Sequence, residues 1–201
     1  MERLYSNSPI PGSVMPWSKT GEEVKLAGKF GVNLISQGFT NPKTGEVDQY
    51  VFCRKGLGFT VVPVLVNGNM VVTRTFKHGV NRVVWEFPAG MKMSNQEKGT
   101  PFDLAKVELS EESGLRAGKV VYLGTTSTAP RKIDTAEHLY LALGCTVLEQ
   151  GPTPEKNEIL EVWELSIEEL WGLIRLHDGS FSGFSEMAAM RAADLGLIRK
   201  P

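Results

Sequence analysis

The chain has 201 residues, of which 41% are hydrophobic and 22% charged, and its formal net charge is -1. That length and apolar content suit one packed domain with a small appended lobe, and disorder is excluded as the default. The near-neutral balance excludes a nucleic-acid or membrane partner held by bulk charge, and no apolar run nears the roughly 20 residues a bilayer-spanning helix needs. The start, MERLYSNSPIPGSVMPWS, lacks the apolar stretch of a signal peptide. Cys53 and Cys145 lie far apart in sequence, so a reduced, cytoplasmic setting with two buried thiols is expected.

In chain order, residues 1–20 read as an extended arm, with Pro9, Pro11, Pro16 and Gly12 among serines. Strand-like runs at 29–37 and 49–54 flank Asn41-Pro42-Lys43-Thr44-Gly45, where proline presets φ and glycine supplies a positive φ. A hairpin lobe over 1–56 is expected, with the main domain over 57–201. Val-rich runs at 59–66 and 70–75 are broken by Asn67-Gly68-Asn69, a strong hairpin signal. A short strand at 83–87 ends at Pro88-Ala89-Gly90.

A helix is expected from Pro101, with Thr100 as N-cap, Asp103 completing a capping-box-like start and Gly114 as the stop. Strands at 119–125, 138–143 and 159–165 follow. Ser166 with Glu169 forms a second capping box for a helix at 167–176, and a last helix is expected at 185–195. The order of elements indicates an α+β fold, a mixed sheet between helices.

On the helix after Thr100, Phe102, Ala105 and Leu109 share an apolar stripe, while Glu108, Glu111 and Glu112 share an adjacent face at i, i+3 and i+4. Like charges at that spacing cost roughly 0.2–0.5 kcal/mol per pair. Here they also crowd the negative end of the helix dipole. A solvated acidic face is one reading; a hard divalent cation with oxygen ligands is the other.

Residues 85–115, WEFPAGMKMSNQEKGTPFDLAKVELSEESGL, resemble the Nudix box. Gly90 is similar to its opening glycine, and Glu108-Leu109-Ser110-Glu111-Glu112-Ser113-Gly114-Leu115 matches its closing half. The Trp85–Gly90 lead-in, Arg74-Thr75-Phe76-Lys77-His78, and Pro130 fifteen residues after Leu115 resemble the ADP-ribose and nucleoside-diphosphate-sugar branch. The resemblance spans roughly residues 28 to 195. It departs at Val107, which replaces the box arginine, and in three extra residues between Gly90 and Val107. Glu97 is thus out of register, and Gly99 stands where the first box glutamate is expected.

The resemblance implies a Nudix-type mixed sheet and hydrolysis of the pyrophosphate in ADP-ribose or a related nucleoside diphosphate sugar. It implies magnesium, with manganese as the alternative, on Glu108, Glu112, Glu111 and the carbonyl of Ala89. A general base is implied in the loop before the late strand, with Glu158 first and Glu155 second. Glu111 either joins the metal or orients its water. Lys77, Arg131 and Arg74 are candidate phosphate or ribose contacts, and Trp17 or Phe30 a candidate base-stacking ring; ordinary solvated or packing roles stand beside each. The resemblance also implies a homodimer through the amino-terminal lobe, a strand set that would be marginal alone. The altered Val107 and Gly99 leave a non-catalytic nucleotide-binding module as the alternative reading.

Overall fold

The computed structural model describes residues 14–92, 99–127, 129–156 and 158–200. Glu97 and most of the proposed arm lie outside the described residues. The chain forms two compact units. One comprises Met1–Lys55 with Ala129–Asp134, and the other Gly56–Thr128 with Thr135–Pro201.

The first unit is an antiparallel sheet of β1 (Ser18–Lys29), β2 (Val32–Thr40) and β3 (Val47–Arg54), in the order β1-β2-β3. The turn at Asn41 forms as expected, its ends closed by Asn41 N–H to Glu46 O at 2.8 Å. The strand β1 was not expected. Its residues alternate poorly and are exposed throughout, so periodicity carries no signal for it. The β1–β2 turn takes Phe30 and Gly31 to φ values of 49° and 72°. That turn passes through the left-handed region with a bulky residue, which explains its poor legibility. The segment 129–134 joins this sheet through Cys53 N–H to Lys132 O at 2.7 Å and Asp134 N–H to Cys53 O at 3.1 Å. Arg54 pairs with Glu23 of β1 and, at 2.6 Å, with Asp134. Cys53 is only half-buried, against the expectation of a buried thiol; Cys145 is buried.

The second unit is built on a mixed sheet. Strands β4 (Leu57–Leu65), β5 (Met70–Lys77), β8 (Leu115–Arg116), β10 (Glu137–Val147) and β11 (Leu160–Leu165) run in the order β11-β5-β4-β10-β8. To these are added β6 (Arg82–Glu86) on β5, β7 (Ala89–Lys92) on β4 and β9 (Lys119–Thr126) on β10. Among the described strands of this unit β4 and β10 form the parallel pair, with an isolated parallel bridge between Trp85 and Phe181. The predicted strands appear with ends moved by a few residues, as expected where fraying blurs boundaries. The four-residue β7 and the two-residue β8 are the additions, too short for periodicity to register.

Alternation along β4 and β10 sends side chains to opposite faces. Phe59, Val61, Tyr140 and Ala142 pack under helix α1 (Pro101–Ser113), against Ala105 and Leu109. Val62, Leu139 and Leu141 pack under α2 (Ile167–Ile174) and α3 (Gly183–Asp194), against Leu170, Ile174, Ala188 and Ala192. The helices therefore cover both faces of the sheet. Both capping boxes form, Thr100 with Asp103 and Ser166 with Glu169. Gly114 takes the left-handed cap conformation at φ 65°. Among the described residues no helix is long and apolar enough to cross a membrane.

Candidate active site

The site starts at the edge of β7. Its lead-in is held on two sides. Val61 N–H donates to Pro88 O at 2.9 Å from β4, and Phe87 N–H donates to the Ser185 hydroxyl at 2.9 Å from the start of α3. Segment 180–182 also pairs with the Trp85 backbone, through Trp85 N–H to Ser180 O and Ser182 N–H to Trp85 O. Backbone fixed in this way can present Ala89 and Gly90 to α1 at a constant distance.

Helix α1 lays its acidic face on this edge. The amide of Ala89 donates to Oε2 of Glu112 at 2.9 Å, and Glu112 is only 6% exposed. Glu108 rests on Gly90: a Cβ placed there would stand 2.2 Å from Glu108 Oε1. The glycine is thus required by close approach, the physical reason for its place in the motif. Glu108 and Glu111 are half-buried.

The last turn of α1 also positions the loop that follows β10. Thr153 N–H donates to Glu111 O and Leu148 N–H to Gly114 O, both at 2.8 Å. A Cβ on Gly114 would meet Gly151 and Pro152 backbone atoms at 2.7 Å. Orphan carbonyls at the helix end are thereby satisfied by the loop carrying Glu155 and Glu158. Within that loop, Glu155 N–H donates to Glu158 Oε2 at 3.0 Å.

Burial first, and then the charges of Glu108, Glu86 and Glu158, push the Glu112 carboxyl up to about 8 against the opposing Ala89 hydrogen bond. Glu86 is likewise raised, by burial first, with Lys77 opposing and Glu137 and Glu158 adding. The charge of Glu158 thus contributes to raising both Glu112 and Glu86, which brings it into the acidic group electrostatically.

Two buried carboxylates were missed by the sequence reading. Glu86 is 5% exposed and ion-paired with Lys77. Glu137 is 4% exposed, accepts from the Thr60 hydroxyl at 3.2 Å, and lies where a Cβ on Gly58 would be 2.0 Å away. The signal for Glu86 was available: a single acid in the apolar run Val83-Val84-Trp85-Glu86-Phe87. Buried carboxylates are rare unless paired or functional.

Among the described residues no three His, Cys, Asp or Glu side chains converge tightly enough to hold a metal ion as they stand. Their chemistry nonetheless fits a hard cation. Buried and half-buried carboxylate oxygens gather around the Ala89–Gly90 edge, and Lys77 is paired into the group through Glu86.

The other expected contacts are placed as follows. Arg74 pairs with Glu161 at 3.3 Å and lies 5.4 Å over the Trp85 ring, on the outer β5–β6–β11 surface. Trp17 and Arg131 belong to the first unit, where with Phe39, Tyr50, Phe52 and Asp134 they line a cavity of about 440 Å³. Trp17 and Phe39 each meet Tyr50 edge-on at 5.7 Å. Phe30 sits exposed in the β1–β2 turn under the Lys29 ammonium. Val107 is 47% exposed. On the loop side, Lys92 Nζ donates to Gly99 O at 3.0 Å, tying the end of β7 to the start of α1.

Several known proteins are similar. The chain is 30% identical over 114 residues to an ADP-ribose pyrophosphatase of Bacillus subtilis, covering 57% of this chain and 60% of that protein. It is 37% identical over 78 residues to an ADP-ribose pyrophosphatase of Mycobacterium tuberculosis, covering 39% and 37%. It is 25% identical over 126 residues to a methanol dehydrogenase activator of Bacillus methanolicus, covering 62% and 66%. The matches thus span less than two thirds of these relatives. A solved structure titled as an ADP compounds hydrolase superposes with a TM-score of 0.73 at 17% identity, over 92% of this chain and 99% of that one. That likeness concerns the fold alone. The model of the NUDIX domain matches residues 54–184, which hold β4 through α2, the acidic helix and the Ala89 edge. On that match the chain belongs to the Nudix domain family.

Proposed function

We propose that the protein hydrolyses the pyrophosphate bond of ADP-ribose or a related nucleoside diphosphate sugar, giving a nucleoside monophosphate and a sugar phosphate. The observation that carries this reading is Glu112, a buried carboxylate held by the Ala89 amide and crowded by Glu108, Glu86 and Glu158. The names of the Bacillus subtilis and Mycobacterium tuberculosis relatives support the choice of substrate.

Glu108, Glu111, Glu112 and the Ala89 carbonyl are the groups that would hold magnesium, with manganese as the alternative. Such an ion, when bound, supplies neutralisation of the diphosphate and a more acidic water. The rest of the chemistry belongs to the chain. Glu158 takes the proton of the attacking water, whose oxygen bonds to one phosphorus. The bond from that phosphorus to the bridging oxygen breaks, and the bridging oxygen departs on the second phosphate. Lys77 meets phosphate oxygens with its ammonium. Within the first unit, Trp17 and Arg131 line an aromatic cavity whose size falls within the range of about 300–1,000 Å³ usual for ligand sites, and a base or ribose is the ligand proposed for it.

Val24, Leu26, Val32, Leu34 and Val51 stand exposed on the three-stranded sheet of the first unit. A second copy of the chain covering them accounts for a sheet otherwise poor in buried apolar area. Light scattering on the purified protein tests this, with a dimer expected.

Product identification tests the activity. The purified protein, magnesium or manganese and a panel of nucleoside diphosphate derivatives are incubated and resolved by chromatography. AMP and ribose 5-phosphate from ADP-ribose are expected; intact substrates throughout would overturn the proposal.

A further inference from the structure

The pairing of Lys77 with Glu86 is not a cross-strand neighbour contact. In the β5–β6 ribbon Lys77 faces Arg82, Thr75 faces Val84, and Thr73 faces Glu86. Directly opposed residues of an antiparallel pair share a face, as do residues two apart along a strand. Lys77 and Glu86 therefore lie on one face of the ribbon, two opposed pairs apart. To reach the Glu86 carboxylate the lysine side chain runs back past Thr75 and Val84 towards the interior, while its own side chain remains 43% exposed and that of Glu86 only 6%. A lysine at a strand end has solvent on its other side and reaches outward by default. Here it is drawn in by an acid buried on the strand that leads into Pro88, Ala89 and Gly90.

We infer that Glu86 is a positioning residue, which holds the Lys77 ammonium beside the acidic helix so that it meets the substrate diphosphate. An ammonium carries three donors. Glu86 occupies one side of it, and the partly exposed remainder offers donors for phosphate oxygens. The tether sits at the end of β6, three residues before the Ala89–Gly90 edge of β7 that receives Glu108 and Glu112. A shift of that edge therefore moves the phosphate contact with it. A neutral side chain at position 86 removes the attraction that bends the lysine inward and leaves it to follow solvent.

This inference rests on the proposed diphosphate hydrolase reading. Its test uses binding of α,β-methylene-ADP-ribose, measured by calorimetry in magnesium, together with KM and kcat for ADP-ribose. The proteins are the parent, Glu86→Gln, Glu86→Asp, Lys77→Met and the Glu86→Gln/Lys77→Met double variant. Loss of a charge-assisted contact predicts about tenfold weaker binding for Glu86→Gln, with KM raised in step and kcat changed by less than about threefold. The double variant is expected to bind no worse than Lys77→Met alone, since the two residues act as one unit. Losses that multiply in the double variant, or a Glu86→Gln protein altered only in melting temperature, would overturn the inference while leaving the hydrolase reading intact. Should Glu86→Gln not fold, Glu86→Asp keeps the charge on a shorter stem. Weaker binding supports the tether, and parent-like binding overturns it. A parent protein that binds no analogue would overturn both readings together.

Discussion

The amide of Ala89 donates to the carboxylate of Glu112 at 2.9 Å across a gap of 23 residues, and this contact joins the strand edge to the acidic helix. It gives Glu112 one hydrogen bond in a place where burial and three other acids oppose its charge. One such bond offsets only part of that cost. The buried charge therefore costs stability in the chain by itself, and the proposed cation would offset that cost.

Glu112→Gln is expected to separate those two quantities. The amide oxygen of glutamine still accepts from Ala89, while the buried charge is gone. Hydrolysis should fall by roughly 100-fold or more, and the melting temperature of the metal-free protein should rise. A variant that is both active and unchanged in stability would contradict the placement of Glu112 at the site's centre.

The same group sets a pH dependence. An acid whose folded value is raised from 4.5 to about 8 binds its proton more tightly in the folded chain. Its destabilising effect is absent below about 4.5 and grows as pH rises towards about 8, to an order of a few kcal/mol. Thermal unfolding in chelator should therefore lose stability over that window, and added magnesium should restore it most at the alkaline end. Curves flat between those limits in chelator would refute the assignment.

Gly90→Ala inserts a methyl group where Glu108 Oε1 now lies. Either the carboxylate or the β7 edge must move. Stability is expected to fall by roughly 1–3 kcal/mol, with a larger proportional loss of magnesium affinity by calorimetry. Gly79→Ala, which meets nothing within 4 Å, serves as the control.

Glu158 and Glu155 are separable by rate. The charge of Glu158 helps to raise both Glu112 and Glu86. Glu158→Gln should lower kcat by about 100-fold or more, within the range for a lost general base. Glu155→Gln should leave it within about threefold, and the reverse ranking would exchange their roles.

Much of the site's helix was legible before any fold was known. Caps and periodicity are local properties, so Thr100, Asp103 and Gly114 fixed the ends of α1, and the spacing of Phe102, Ala105 and Leu109 fixed its buried side. The three acids on the neighbouring face followed from the same geometry. The hairpin at Asn67-Gly68-Asn69 was likewise set by turn chemistry.

What only tertiary structure decided involves residues distant in sequence or signals too short to read. Strand β7 has four residues, and β1 has no buried face. The junction of 129–134 with β3 depends on Arg54 reaching Asp134 across 80 residues. Glu137 became buried because β10 lies parallel to β4 with Gly58 leaving it room. The Lys77–Glu86 pair depends on which strand lies beside β5 and in what register. Sequence periodicity reports which side of an element is apolar; the identity of the neighbour is set by pairing and packing over long separations, and that neighbour determines whether a carboxylate is solvated, paired or pressed against other acids.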